Sequence, residues 1–136
     1  MSFDIFLYCF RNGKPATFER FVVAEIFSPH AYGDPDFTNV TFPDGSGACI
    51  YVARDHDIQG LGFDRCGGDA FFDALYRLAD ITKSVVFWPG RRPSCAVTDG
   101  ATLAHLPDGF SADGCGPAQV VHSGRELYEY IFRKRQ

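Results

Sequence analysis

The stretch that most constrains this fold is Phe63 to Gly90, FDRCGGDAFFDALYRLADITKSVVFWPG. Gly67 and Gly68 read as a turn after the end of a strand. Phe71, Phe72, Ala74, Leu75, Leu78 and Ala79 then recur at helical spacing, with Arg77 and Asp80 off the stripe. Such a helix is stable only if its apolar face lies on another layer. Ser84 to Trp88 (SVVFW) supplies continuous apolar, β-prone text, the pattern of a strand covered on both faces. Asp69 reads as the helix N-cap, with Asp73 adding negative charge near the positive end of the helix dipole.

Phe3 to Phe10 (FDIFLYCF) is apolar on both alternating faces and reads as a central strand. Pro15 to Phe27 has Phe18, Phe21, Val22 and Ile26 at helical spacing, and Ser28-Pro29 stops that helix. Thr38–Phe42 and Ala48–Val52, joined by Pro43-Asp44-Gly45-Ser46-Gly47, read as a hairpin. Ile58 to Phe63 is a third strand. Gly60 and Gly62 share one of its faces, which predicts close approach by a backbone or a large ring. Ser94–Thr98 pairs back on Ser84–Trp88 across the Pro89–Pro93 turn. Asp99 caps a short helix to Leu106, Ser111–Pro117 is a loop, and Gln119–His122 is an edge strand. Ser123-Gly124-Arg125-Glu126 is a capping box opening the last helix. In that helix Arg133, Lys134 and Arg135 place positive charge at the C-terminal end.

The expected fold is therefore α+β. A largely antiparallel mixed sheet carries two main helices and a C-terminal helix, as one domain over residues 1–136. A chain of 136 residues with 46% hydrophobic and 15% aromatic content can bury one core filled mainly by rings.

The start of the chain, interrupted by Asp4 and without a basic leader or cleavage site, reads as a strand and not a signal peptide. No apolar run is long enough to span a bilayer. Five cysteines at 9, 49, 66, 95 and 115, widely spaced and without CxxC, fit a reducing cytoplasm. Net charge is −4, with 13 Asp against 4 Glu. That balance disfavours nucleic acid and favours a basic partner.

Four places could carry chemistry. Arg65-Cys66-Gly67-Gly68 precedes a helix start, where free amides suit a phosphate or carboxylate and Arg65 can help. The run matches neither dinucleotide nor P-loop text, Asp69 competes for the amides, and Gly-Gly is an ordinary sharp turn. Cys66 as a nucleophile needs a base, with His56, His105 and His122 available, but no spacing pairs them. Asp55-His56-Asp57 with Asp34, Asp36 and Asp64 lacks calcium-loop or zinc spacing. It reads as an acidic, solvated loop set or as a surface for a basic partner. Arg91 and Arg92, beside Trp88, are a candidate interface tip.

The text GACIYV, RCGGDAFFDALYRLAD, VVFWP, CAVTD and HLPDGF resembles an uncharacterised family of small bacterial α+β proteins. Its marks are the PDGSGA hairpin (Pro43 to Ala48), the CGGDAFFDAL helix start (Cys66 to Leu75) and FWP (Phe87 to Pro89). By type, small acidic domains of this kind are also similar to immunity proteins that neutralise bacterial toxins. The resemblance implies no catalytic residue.

The expectation is a non-enzymatic, cytoplasmic protein that binds a cognate, basic toxin, without metal or cofactor. Its candidate surfaces are Asp34, Asp36, Asp55, Asp57, Trp88, Arg91 and Arg92. The alternative is a small enzyme or anion-binding domain using Arg65, Cys66, Gly67 and Gly68. A homo-oligomer through Gln119–His122 or the last helix is a third possibility.

Overall fold

The structure is a computed structural model that describes residues 4–132, with the side chains of 111–113 left out of the description. Phe3 and the basic run Arg133-Lys134-Arg135 lie outside the described residues.

An alternating apolar strand sits at the centre. β1 (Ile5–Arg11) pairs antiparallel with β7 (Gly60–Gly67) on one side and β8 (Ser84–Phe87) on the other. β7 continues to β5 (Gly47–Tyr51) and β4 (Asn39–Thr41), the expected hairpin. On the far side β8 pairs with β9 (Cys95–Val97), and β9 pairs in parallel with β10 (Gln119–Val120). The order is β10-β9-β8-β1-β7-β5-β4, with β2 (Lys14–Pro15) added on β1. A two-stranded ribbon joins β3 (Phe18–Glu19) to β6 (Asp57–Ile58). The fold is α+β with a largely antiparallel mixed sheet.

Among the described residues three α-helices cover one face: α1 (Arg20–Phe27), α2 (Asp69–Thr82) and α3 (Gly124–Phe132). The six residues of the expected α2 stripe are all buried, together with Thr82. They meet Ile5, Leu7, Ile50, Leu61, Phe63 and Val86 from the sheet. A chain of rings runs through this layer: Phe27 against Phe63 at 5.9 Å, Phe63 against Phe71 at 5.6 Å, and Phe71 against Phe72 at 5.1 Å. Edge-to-face pairs at such spacing add about 1 kcal/mol each beyond their buried area.

The capping box holds, with one shift. Glu126 N–H donates to Ser123 Oγ at 3.0 Å, but the return bond to Glu126 Oε1 comes from His122 N–H. Asp99 caps as expected, accepting from Ala101 N–H at 2.9 Å, and the helix it opens is a 3₁₀ helix over Gly100–His105.

Several expectations need correction. The first helix begins at Arg20, not Pro15, because Pro15 pairs with Phe10 and Phe18 with Ile58. Strand pairing thus takes the residues that would have formed its first turns. Phe21 points outward, 62% exposed, and Phe27 takes the core position. The α-helix does end at Phe27, before Ser28-Pro29 as expected, and a 3₁₀ turn over Ser28–His30 follows it. The third strand runs to Gly67, past its expected end at Phe63. Residues Phe110–Cys115 form a π-helical turn inside what reads as a loop.

Candidate functional site

The α2 start is closed by the chain itself. Gly68 is the cap residue, at φ +93, and Asp69 is the first residue of the helix, not its cap. The first-turn amides are capped from a distance by the β4–β5 hairpin. Asp44 Oδ2 accepts from Ala70 N–H at 3.0 Å, and Ser46 Oγ accepts from Phe71 N–H at 3.1 Å. Asp44 also accepts from the Ser46 hydroxyl at 2.6 Å and from Ser46 N–H. Those bonds, the hydroxyl first, hold the Asp44 carboxyl below the usual range. A ≈ 620 Å³ depression lies beside this corner, lined by Arg65, Gly67 and Gly68. Two of the first-turn amides, those of Ala70 and Phe71, are thus taken by the hairpin, and Asp44 adds a negative charge that disfavours an anion beside Arg65.

Cys66 is half-buried, and burial pushes its thiol up to about 12, with Asp64 and Asp4 adding to the effect. A thiol held protonated is a poor nucleophile at neutral pH.

The expected acidic surface divides. Asp34 organises its own loop, accepting from the amides of Asp36, Thr38 and Asn39. The Asp36 amide leads in lowering its carboxyl. Asp36 pairs with Arg54 at 2.6 Å and Arg20 at 3.9 Å. Asp55 and Asp57 are exposed. Among the described residues no three His, Cys, Asp or Glu side chains come together as a metal site.

Trp88 is 4% exposed and packs edge-on against Tyr130 at 5.9 Å. It is a core residue, which corrects its place in the candidate interface. Arg91 and Arg92 remain exposed on the turn.

The feature missed in the sequence is the second face of the sheet. Over β8–β10 it is covered: Val85, Cys95 and Val97 pack with Leu106, Phe110 and Cys115. Over β1, β7 and β5 it forms an open groove of ≈ 400 Å³, lined by Asp4, Phe6, Tyr8, Tyr51, Gly60, Gly62 and Asp64. The glycines explain its depth. A Cβ on Gly60 would meet Tyr8 Cδ1 at 2.6 Å, and one on Gly62 would meet Phe6 Cδ1 at 3.4 Å. The rings lie where side chains of β7 would otherwise stand, as the paired glycines predict.

Phe6 stacks on Phe87 at 5.4 Å, and Phe87 also meets Tyr8 at 5.4 Å and Phe110 at 5.9 Å. The groove wall is thus braced by the covered half of the same face. Tyr51, 57% exposed, donates to Asp64 Oδ2 at 3.5 Å. The nearby Asp64 charge, followed by burial, raises the Tyr51 hydroxyl. Asp64 Oδ1 is enclosed and has no hydrogen-bond partner among the described residues. A carboxylate with one long bond for two oxygens is under-satisfied. Aromatic faces with carboxylates at the rim make a receptor for a cationic side chain.

At the sheet's opposite edge, β10 borders a smaller hollow of ≈ 290 Å³ with Glu126, Glu129 and Tyr130. Among the described residues no helix is long and apolar enough to cross a membrane. No protein-family model matches the chain, nor does any curated protein or solved structure.

Proposed function

We propose that this chain is a non-enzymatic binding protein that seats a basic protein on the groove of Phe6, Tyr8, Tyr51, Asp4 and Asp64. A bacterial toxin neutralised by its immunity protein is the kind of partner that fits. The observation carrying this reading is the pairing of aromatic faces with the carboxylates of Asp4 and Asp64 on an uncovered sheet face. An arginine or lysine laid there would gain a ring contact and a charge-assisted hydrogen bond together. The net charge of −4 and exposed Asp55 and Asp57 would speed encounter with such a partner. Asp34 and Asp36, committed within the fold, contribute less.

The test is co-expression with the neighbouring open reading frame, scored for a stoichiometric complex and rescue of growth. Tyr51→Ala with Asp4→Lys should then weaken the complex at least tenfold, or about 1.4 kcal/mol. Unchanged affinity in that pair, with loss in Asp55→Lys plus Asp57→Lys, would move the site to the loops. Absence of any complex would overturn the reading.

A further inference from the structure

Cys95 and Cys115 are twenty positions apart in sequence and adjacent in space. Ser94 N–H donates to Cys115 O at 2.7 Å, which ties β9 to the end of the 110–115 turn. The Cys95 Sγ lies 3.9 Å from Cys115 O and donates to Gly116 O at 3.4 Å. Cys115 also packs against the buried cluster of Val85, Cys95 and Val97. Joined backbones and side chains of one packed cluster bring the two cysteines together as a disulfide requires. The other thiols are placed differently. Cys9 donates to Thr82 O and Cys49 to Asn39 Oδ1, while Cys66 packs against the helix-side core.

The pair is asymmetric. Cys95 is fully buried and Cys115 is half-exposed. We propose that Cys95 and Cys115 form a reversible dithiol–disulfide site, in which Cys115 meets the oxidant and Cys95 resolves it. With a low-molecular-weight disulfide as oxidant, the Cys115 thiolate attacks one sulfur and expels the first thiolate. Cys95 then loses its proton to solvent, and its sulfur attacks Cys115, expelling the second thiolate. Two protein S–H bonds are lost and one S–S bond is formed, while the oxidant is reduced to two thiols. Burial keeps Cys95 protonated, pushed up to about 12, so resolution is the slow step.

The bond would fasten β9 to the segment carrying Phe110, whose ring meets Phe10 and Phe87 at 5.9 Å each. The site stands independently of the groove's partner.

The experiment treats the full chain with oxidised glutathione and follows intact mass and disulfide-mapped peptides over time. The expected result is a single glutathione on Cys115, replaced by a species two hydrogens lighter whose peptides link Cys95 to Cys115. Dithiothreitol reverses it. Cys95→Ala should hold the glutathione adduct, and Cys115→Ser should give neither species. A stable adduct on Cys115 in the native chain would overturn the proposal. So would a link between any other pair, or modification of Cys49 while Cys115 stays reduced.

Discussion

The Ser46 hydroxyl accepts a hydrogen bond from the Phe71 amide at 3.1 Å, across 25 positions of sequence. With Asp44 bonded to Ala70 N–H, a hairpin turn supplies the cap that α2 lacks locally. The PDGSG turn and the CGGDAFFDAL helix start are therefore one structural unit.

Breaking that unit should cost stability in a graded way. Ser46→Ala leaves a buried first-turn amide without its acceptor, a loss of about 1 kcal/mol. Gly68→Ala should cost more, about 3 kcal/mol. Its φ of +93 disfavours a side chain, and the new Cβ would run into Ser46 Cβ. Urea unfolding of the two variants measures both. Equal costs would contradict the account of Gly68.

The groove floor offers a contrast between two glycines two residues apart on one strand. Gly60→Ala forces a Cβ to within 2.6 Å of the Tyr8 ring and 2.7 Å of Leu7 O, so about 1–3 kcal/mol should be lost. Gly62→Ala makes only ordinary contact with Phe6 and should fall within about 0.5 kcal/mol of wild type. Thermal melts of the two variants check the difference.

Trp88→Ala should destabilise the fold by about 3–5 kcal/mol, as expected for a large ring removed from a packed core. Arg91→Ala, exposed on the adjoining turn, should stay within about 0.5 kcal/mol. Denaturant midpoints separate the core role of Trp88 from the surface position of its neighbour.

Stability should fall on the alkaline side. Burial holds the Cys66 and Cys95 thiols at about 12, above the ordinary 9.0. Between those values the unfolded chain has released protons that the folded chain keeps, so raising pH favours unfolding. Below the ordinary value neither thiol contributes any slope. Tyr51, raised chiefly by Asp64, acts in the same direction at higher pH. Urea midpoints from about pH 8 to about pH 10.5 should decline, and less steeply in Cys66→Ala. A slope unaltered by that substitution would exclude the Cys66 contribution.

The sequence by itself determined the elements whose signals are local. The α2 stripe is periodic over many residues. The Ser123–Glu126 box and the Asp99 cap depend on side chains that reach only a few positions along the chain. The β4–β5 and β8–β9 hairpins follow from turn residues between apolar runs, and the paired Gly60 and Gly62 foretold a ring above them. Only the tertiary structure decided the rest, because those features depend on partners remote in sequence. α1 starts late because Phe10 and Ile58 claim Pro15 and Phe18 as strand partners. Asp69 is displaced as a cap because the hairpin places Asp44 and Ser46 over the same amides. Trp88 is buried because α3 brings Tyr130 over it. The groove joins residues of three strands with Asp4, and helices cover the other face. Alternation along a strand tells which side chains share a face, but not which face a helix will cover.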